Sequence, residues 1–380
     1  MGSLDILGFA LILIIWGYRP RKGHRMHNSK PLLGVIVTIA GLLLLSSCNT
    51  GTADQPGGKA AEGRAEPQGS AGSTAVNPPG EAPGRYEIAA DRNTATLPFE
   101  FYGMNLLIRG EINGKRVNLL IDNGRLWDQV WFYNGEADSL DLHYLRGAEV
   151  DTVVGAGEEG GSDILEGNPI DIDFGSIRFF DQPTLISPPE AGWGGFFPGV
   201  AGQVSSMLFK HFVVTFDFIE SVITLTKPES FRPAGEGKAV PMQLEENGAY
   251  SIPVTIRMPD SEELEVRLDI DLGGIYPLDL IENEALNIRR PENSEKQHLG
   301  YGASGEITGY VGQIDMVRIG SYTLDNVTAV FVEEGANVNS DIIHAGTIGL
   351  PLMRRFNITF DYFNNLMYFE PNQSFGDSFE

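Results

Sequence analysis

Residues 105–130 read NLLIRGEINGKRVNLLIDNGRLWDQV, a hairpin that ends in an aspartate on a tight turn. Leu106 and Ile108, then Val117, Leu119 and Ile121, alternate with other residues, which is the period of a half-buried strand. Asn113-Gly114 between the two runs is a strong hairpin dipeptide. The second run delivers Asp122 into Asp122-Asn123-Gly124, where glycine lets the chain bend sharply. A weaker copy lies at 252–274. There Val254 and Ile256 lead into a turn at 258–263, and Leu264, Val266, Leu268 and Ile270 lead into Asp271-Leu272-Gly273-Gly274. Two such aspartates in one chain point to a pair.

The chain has 380 residues, enough for two lobes with real cores. A net charge of −24 argues against nucleic acid and anionic lipid as partners, because both would be repelled. The 46 glycines, 22 prolines and many short apolar runs predict an all-β chain. Cys48 is the single cysteine, so no intramolecular disulfide can form. Lys30, an apolar run over 32–45 and Leu45-Ser46-Ser47-Cys48 form a secretory signal over 26–47. Its end resembles a bacterial lipobox, which implies acylation of Cys48 and a lipid-anchored protein of the bacterial cell envelope, facing the periplasm or the outer surface. Residues 1–25 read as a start-site artefact ahead of Met26, or else as a real helix. Residues 48–84 are rich in Gly, Ala, Ser, Pro and Glu and read as a disordered tether.

Beyond the tether, residues 86–101 read as an opening strand pair. Residues 126–133, with Trp127, Trp131, Phe132 and Tyr133, read as a short helix or the wall of a cleft. Gly155, Gly157 and Gly160 satisfy G-x-G-x-x-G, but no helix pattern follows and Glu158-Glu159 would repel a phosphate, so a glycine-rich hairpin tip is the better reading. Asp171 and Asp173 alternate with Ile170 and Ile172 as a solvent-facing strand edge. Gly161-Ser162-Asp163 reads as a turn. The first lobe is assigned to 85–228, a Pro/Gly linker to 229–237, the second lobe to 238–371 and a tail to 372–380.

The second half repeats the first. QIDMVRIGS at 313–321 echoes PIDIDFGS at 169–176, and LMRRFNITFDYFNNLMYFEP at 352–371 echoes LFKHFVVTFDFIESVITLTKP at 208–228. Phe356, Thr359, Phe360 and Asp361 match Phe212, Thr215, Phe216 and Asp217. Asp122 and Asp217 lie 95 residues apart, and Asp271 and Asp361 lie 90 apart. Landmarks in one order at nearly constant spacing indicate an internal duplication.

These residues resemble the aspartic proteases, more closely the bacterial two-lobed, retropepsin-like set. The resemblance spans roughly 90–371 and rests on Ile-Asn-Gly-Lys-x-Val-x-Leu-Leu-Ile-Asp122-x-Gly124, on Asp271-Leu-Gly273, and on the endings at Asp217 and Asp361. It implies a pepsin/retropepsin-like acid protease fold, each lobe a closed-barrel-like β unit. It implies a catalytic dyad of Asp122 and Asp271, supported by Asn123, Gly124, Leu272 and Gly273. Tyr301 and Gly302 resemble a flap tip, with Gly155 and Gly157 at the matching place in the first lobe. Gly346-Thr347-Ile348-Gly349 resembles the stretch that packs behind an aspartate loop. The partner implied is a peptide or unfolded protein, cut by a monomer with neither metal nor cofactor. Asp217 and Asp361 read as strand-end carboxylates outside the chemistry. The turns depart from the family's Asp-Thr/Ser-Gly: Asn123 can still hydrogen-bond, but Leu272 cannot. Arg125 would hold Asp122 ionised if it faced the dyad. Two readings therefore stand, an active endopeptidase and a catalytically impaired protease-fold protein that binds peptide or glycan. The scattered histidines give no H-x-x-x-H spacing and no Gly-x-Ser-x-Gly elbow occurs, which argues against zinc and serine chemistry.

Overall fold

The computed structural model describes residues 84–89, 92–124, 126–133, 136–153, 157, 161–188, 193–233, 238–245, 248–333 and 345–379. Cys48, the signal, the tether as far as residue 83, Gly155 and Arg125 lie outside the described residues.

The opening hairpin forms as its sequence dictates. Asn105–Ile112 pairs antiparallel with Lys115–Ile121, from Leu106 opposite Ile121 to Ile112 opposite Lys115. Asn113 and Gly114 both take positive φ, 51° and 74°, as a two-residue turn matched to strand twist requires. The second copy pairs Tyr250–Arg257 with Glu263–Asp271 across a longer turn.

Each hairpin opens a six-stranded closed ring. In the first lobe the order is Asn105–Ile112, Lys115–Ile121, Gly202–Val204, Val130–Phe132, Ile177–Ile186 and Ser162–Asp173, closed by Glu111 opposite Asp173. In the second it is Tyr250–Arg257, Glu263–Asp271, Gly346–Gly349, Leu278–Ile281, Tyr322–Val332 and Gly305–Ile319, closed where Thr255 meets Arg318. Both rings place their two parallel pairings at the same steps. The described residues are thus mostly β and two-lobed, and closing each ring pairs strand edges that would otherwise be open.

The lobes share one sheet. Val213–Asp217 pairs antiparallel with Phe356–Asp361, and Thr215 stands opposite Thr359 with their hydroxyls 2.8 Å apart. These residues are equivalent in the repeat, so each meets its own counterpart, as across a two-fold axis. Phe212, Phe216, Phe356 and Phe360 beside them are fully buried. Each such burial is worth about 1.5–3 kcal/mol relative to exposure.

Three expectations change. The residues of 86–101 do not pair with one another: Arg85–Ile88 joins Ile177–Ile186, and Thr94–Tyr102 joins Val222–Thr226 and Asn105–Ile112. Within 126–133 there is a strand, Val130–Phe132, rather than a helix, because Trp131 and Phe132 pair with Gln203 and Gly202 in the barrel. Ser162 and Asp163 begin a strand instead of continuing a turn; only Gly161, with φ 114°, keeps a turn conformation.

Candidate active site

Both aspartates leave their strands at matching points. The chain before Asp122 lies parallel to Gly202–Val204, and Asp122 N–H donates to Val204 O at 3.1 Å. Asp271 stands opposite Gly349 in the parallel pair with Gly346–Gly349. The backbones are so close there that a Cβ on Gly349 would sit 2.1 Å from Tyr276 O. The Gly346–Gly349 stretch therefore packs behind the second aspartate loop, as the resemblance implies.

The two loops face each other tip to tip. A Cβ on Gly124 would lie 2.7 Å from Asp271 Cγ, and one on Gly273 would lie 3.1 Å from Asp122 Cγ. Each aspartate is seated against the glycine of the opposite loop; a side chain at Gly124 would force Asp271 to move, and one at Gly273 would crowd Asp122. That same point on Gly273 lies 3.1 Å from both Asp122 Oδ2 and Asp271 Oδ1, so these oxygens are no further apart than twice that distance. Gly124 N–H donates to Asp122 Oδ1 at 3.0 Å, and Gly273 N–H donates to Asp271 Oδ1 at 2.7 Å. Burial, then the Asp122 charge, holds the Asp271 carboxyl well above the usual carboxylate range. The Gly273 N–H opposes that shift, and Asp279 adds to it.

The two turns differ in what their middle residue does. Asn123 is 1% exposed, and its Oδ1 accepts the backbone N–H of Leu272 from the other lobe at 2.8 Å. Its Nδ2 donates to the Tyr362 hydroxyl at 3.0 Å. One amide thus bridges the lobes in the place where the family's hydroxyl would stand. Tyr362 stacks flat on Tyr250, with centroids 4.1 Å apart, and burial pushes both hydroxyls up, that of Tyr250 to about 12. Leu272 takes part through its backbone N–H alone; its side chain is fully buried in the core.

Two residues beside the dyad carry no motif. Gln203 Nε2 donates to Asp122 Oδ2 at 3.1 Å, and the Tyr133 hydroxyl donates to Gln203 Oε1 at 2.7 Å. Burial, and secondarily the charge of Asp122, pushes the Tyr133 hydroxyl well up. The repeat offered a signal for Gln203: it occupies the place that Thr347 holds in Gly346-Thr347-Ile348-Gly349. The loop after Asp122 is braced from behind, where the buried Lys210 pairs with Asp128 and Ser206 N–H donates to Trp127 O at 3.2 Å.

The dyad lines a cleft of about 300 Å³. Its first-lobe wall includes Trp127, Trp131, Tyr133 and Phe197, so that stretch is a cleft wall after all. Tyr301 and Gly302 line the cleft from the tip of the hairpin Glu295–Gly302/Gly305–Ile319. Tyr301 is half exposed, with its ring 4.6 Å from Phe196. Gly157, from the first-lobe hairpin, approaches so closely that a Cβ there would sit 2.2 Å from Ser304 C. Ser162 Oγ donates to Ala303 O at 2.7 Å. Flap-like hairpins from both lobes therefore meet. Asp217 and Asp361 hold turns: Asp217 Oδ1 accepts the N–H groups of Ile219 and Glu220, and Asp361 accepts from Asn364.

No protein-family model matches the chain, and no curated protein matches it in sequence. Similar solved structures include an aspartic proteinase from Irpex lacteus, with 13% identity and a TM-score of 0.43, covering 74% of this chain and 98% of that one. Basic 7S globulin from soybean is similar at 12% identity and a TM-score of 0.43, covering 75% of this chain and 95% of that one. Likeness at this level carries no functional weight, and the two-lobed β architecture stands on the strand pairing itself.

Proposed function

We propose that the chain is an aspartic-type endopeptidase in which Asp122 and Asp271 activate a water against a peptide bond. The observation that carries this reading is the reciprocal seating of each aspartate against the opposite glycine at the floor of the cleft. The reading has the two carboxyls near enough that both cannot ionise easily, so that they share one proton and titrate as a pair. Asp271, raised by burial and by its neighbour, suits the protonated member that donates to the scissile carbonyl. Asp122 accepts Gly124 N–H and the Gln203 amide on its two oxygens, which suits the ionised member that takes a proton from water.

The test is cleavage of an unfolded protein between pH 3 and 7, with Asp122→Asn as the control. The reading expects acid-shifted cleavage, blocked by a statine-type inhibitor and abolished in the variant. Leu272 favours a second reading, because its buried apolar side chain cannot return the cross-lobe hydrogen bond that Asn123 makes from the other loop. Peptide binding with no cleavage at any of these pH values would establish that reading instead, a protein that holds peptide or glycan without cutting it. We further propose that Cys48 is acylated and anchors the protein, as a monomer, to the bacterial envelope. Loss of palmitate label in Cys48→Ser is the expected result.

A further inference from the structure

We infer that the second-lobe side of the cleft takes a lysine or arginine side chain of the bound peptide, held by Asp279 with Asp269 on its flank, beside the scissile bond. The inference deepens the endopeptidase reading and rests on it for the term scissile.

Strand register places these residues. Thr347 lies between two neighbours, opposite Asp269 on one side and Asp279 on the other, so the three form a row across adjacent strands. Val330 continues the row beyond Asp279. All four line the cleft. Asp269 precedes Asp271 by two residues on one strand, so the row lies about 7 Å from the dyad. That is within reach of a side chain near the cleaved bond. The matching row in the first lobe is Leu120, Gln203 and Trp131, because Leu120 and Trp131 each stand opposite Gln203. One lobe thus offers the cleft a leucine and a tryptophan where the other offers two aspartates.

Asp279 supplies the second observation. Its Oδ1 is shut away from solvent with no hydrogen-bond partner among the described residues. A carboxylate held so is costly unless something pairs with it. None of the described residues lining the cleft is lysine, arginine or histidine. A metal fits poorly, since Asp269 and Asp279 sit two strand spacings apart, about 10 Å. An ammonium or guanidinium on a long apolar stem fits: the stem lies along Ile281, Val330 and Val332, and the charge pairs with the part of the Asp279 carboxyl that lines the cleft.

Burial pushes the Asp279 carboxyl up to about 7. A cation that pairs with its ionised form is therefore bound with release of a proton, and more tightly as pH rises through that value. Among the described residues the titratable groups beside Asp279 are Asp269 and Asp271, both acidic, and Tyr276, whose hydroxyl is raised first by burial and then by Asp279. None supplies a positive charge.

The experiment uses the intact protein and three peptide series that differ at one position near the cleaved bond: lysine, norleucine or glutamate. Cleavage is read by mass spectrometry and binding by fluorescence anisotropy, at pH 5 and 7. The expected result is a lysine preference over norleucine of at least about tenfold, larger at pH 7, with glutamate last. In Asp279→Asn the lysine-to-norleucine ratio falls towards one. Equal treatment of lysine and norleucine by the unaltered protein would overturn the inference, and that comparison requires no variant to fold. Cleavage without lysine preference sinks the inference and leaves the peptidase reading intact. Lysine-selective binding without cleavage sinks the peptidase reading and leaves the subsite.

Discussion

Asn123→Ala removes two hydrogen bonds that join the lobes behind the dyad, and its cost can be worked from the contacts. The Leu272 N–H loses its acceptor at a site where both Leu272 and Asn123 are buried. Leaving such a donor unmade costs about 1–3 kcal/mol. The Tyr362 hydroxyl, also buried, loses the amide that donates to it, a neutral bond worth about 1 kcal/mol. Together these predict a loss of about 2–4 kcal/mol in urea unfolding, with the slope unchanged. Asn123→Thr restores an acceptor for Leu272 N–H but is too short for Tyr362, so it recovers about half. Tyr362→Phe alone costs about 1 kcal/mol, and less in the Asn123→Ala background, because the bond is already gone. Activity, where present, falls with stability, since a dyad displaced by about 1 Å loses on the order of a hundredfold. A loss below about 0.5 kcal/mol for Asn123→Ala, or no gain from threonine over alanine, would refute the bridge.

Gly124→Ala places a Cβ 2.7 Å from Asp271 Cγ, so cleavage falls by at least about a hundredfold while far-UV circular dichroism is retained. Asp279, with its carboxyl raised to about 7 in the folded state, keeps a proton that the unfolded chain has released, so its contribution to stability falls as pH rises from about 4 to 7. Asp279→Asn should flatten that slope, read as urea midpoints across pH 4–8. The Thr215–Thr359 hydroxyl pair predicts that either threonine changed alone to valine costs about 1 kcal/mol, while the double change is nearly neutral, since no unpaired hydroxyl is then left.

Much of the fold was legible because the sequence states it twice. Asn113-Gly114 fixed a turn through the φ values that few other dipeptides adopt. The match of Thr359 to Thr215 anticipated more than a repeat, since those two residues turn out to face each other across the shared sheet. The strand of Val130–Phe132 was not legible. Three residues carry no periodicity, and Val130 to Tyr133 is an unbroken apolar and aromatic run because it packs into the core on one side and lines the cleft on the other. Gln203 and Asp279 were missed for a related reason. Each sits on a strand of three or four residues and gains its meaning from the strands beside it.

The bridge at Asn123 shows how a departure from a motif is to be weighed. The missing hydroxyl at this position weakened the sequence case for a working dyad, yet the cross-lobe contact is made by a longer side chain from the same position. Leu272 on the other loop needs no side-chain polarity to take part, because it contributes its backbone N–H. One amide thus reaches both Leu272 and Tyr362. The same logic governs the cleft walls. The ring order and the parallel pairings are the same in both lobes, so Leu120 and Asp269, Trp131 and Asp279, and Gln203 and Thr347 are held at matching places facing one cavity. Backbone pairing does not depend on these side chains, so they can differ while the ring order is kept. What they change is the chemistry the cleft offers on either side of the dyad, aromatic on one wall and anionic on the other. For this reason the Asp279→Asn peptide series separates specificity from folding more cleanly than any change at the aspartate loops.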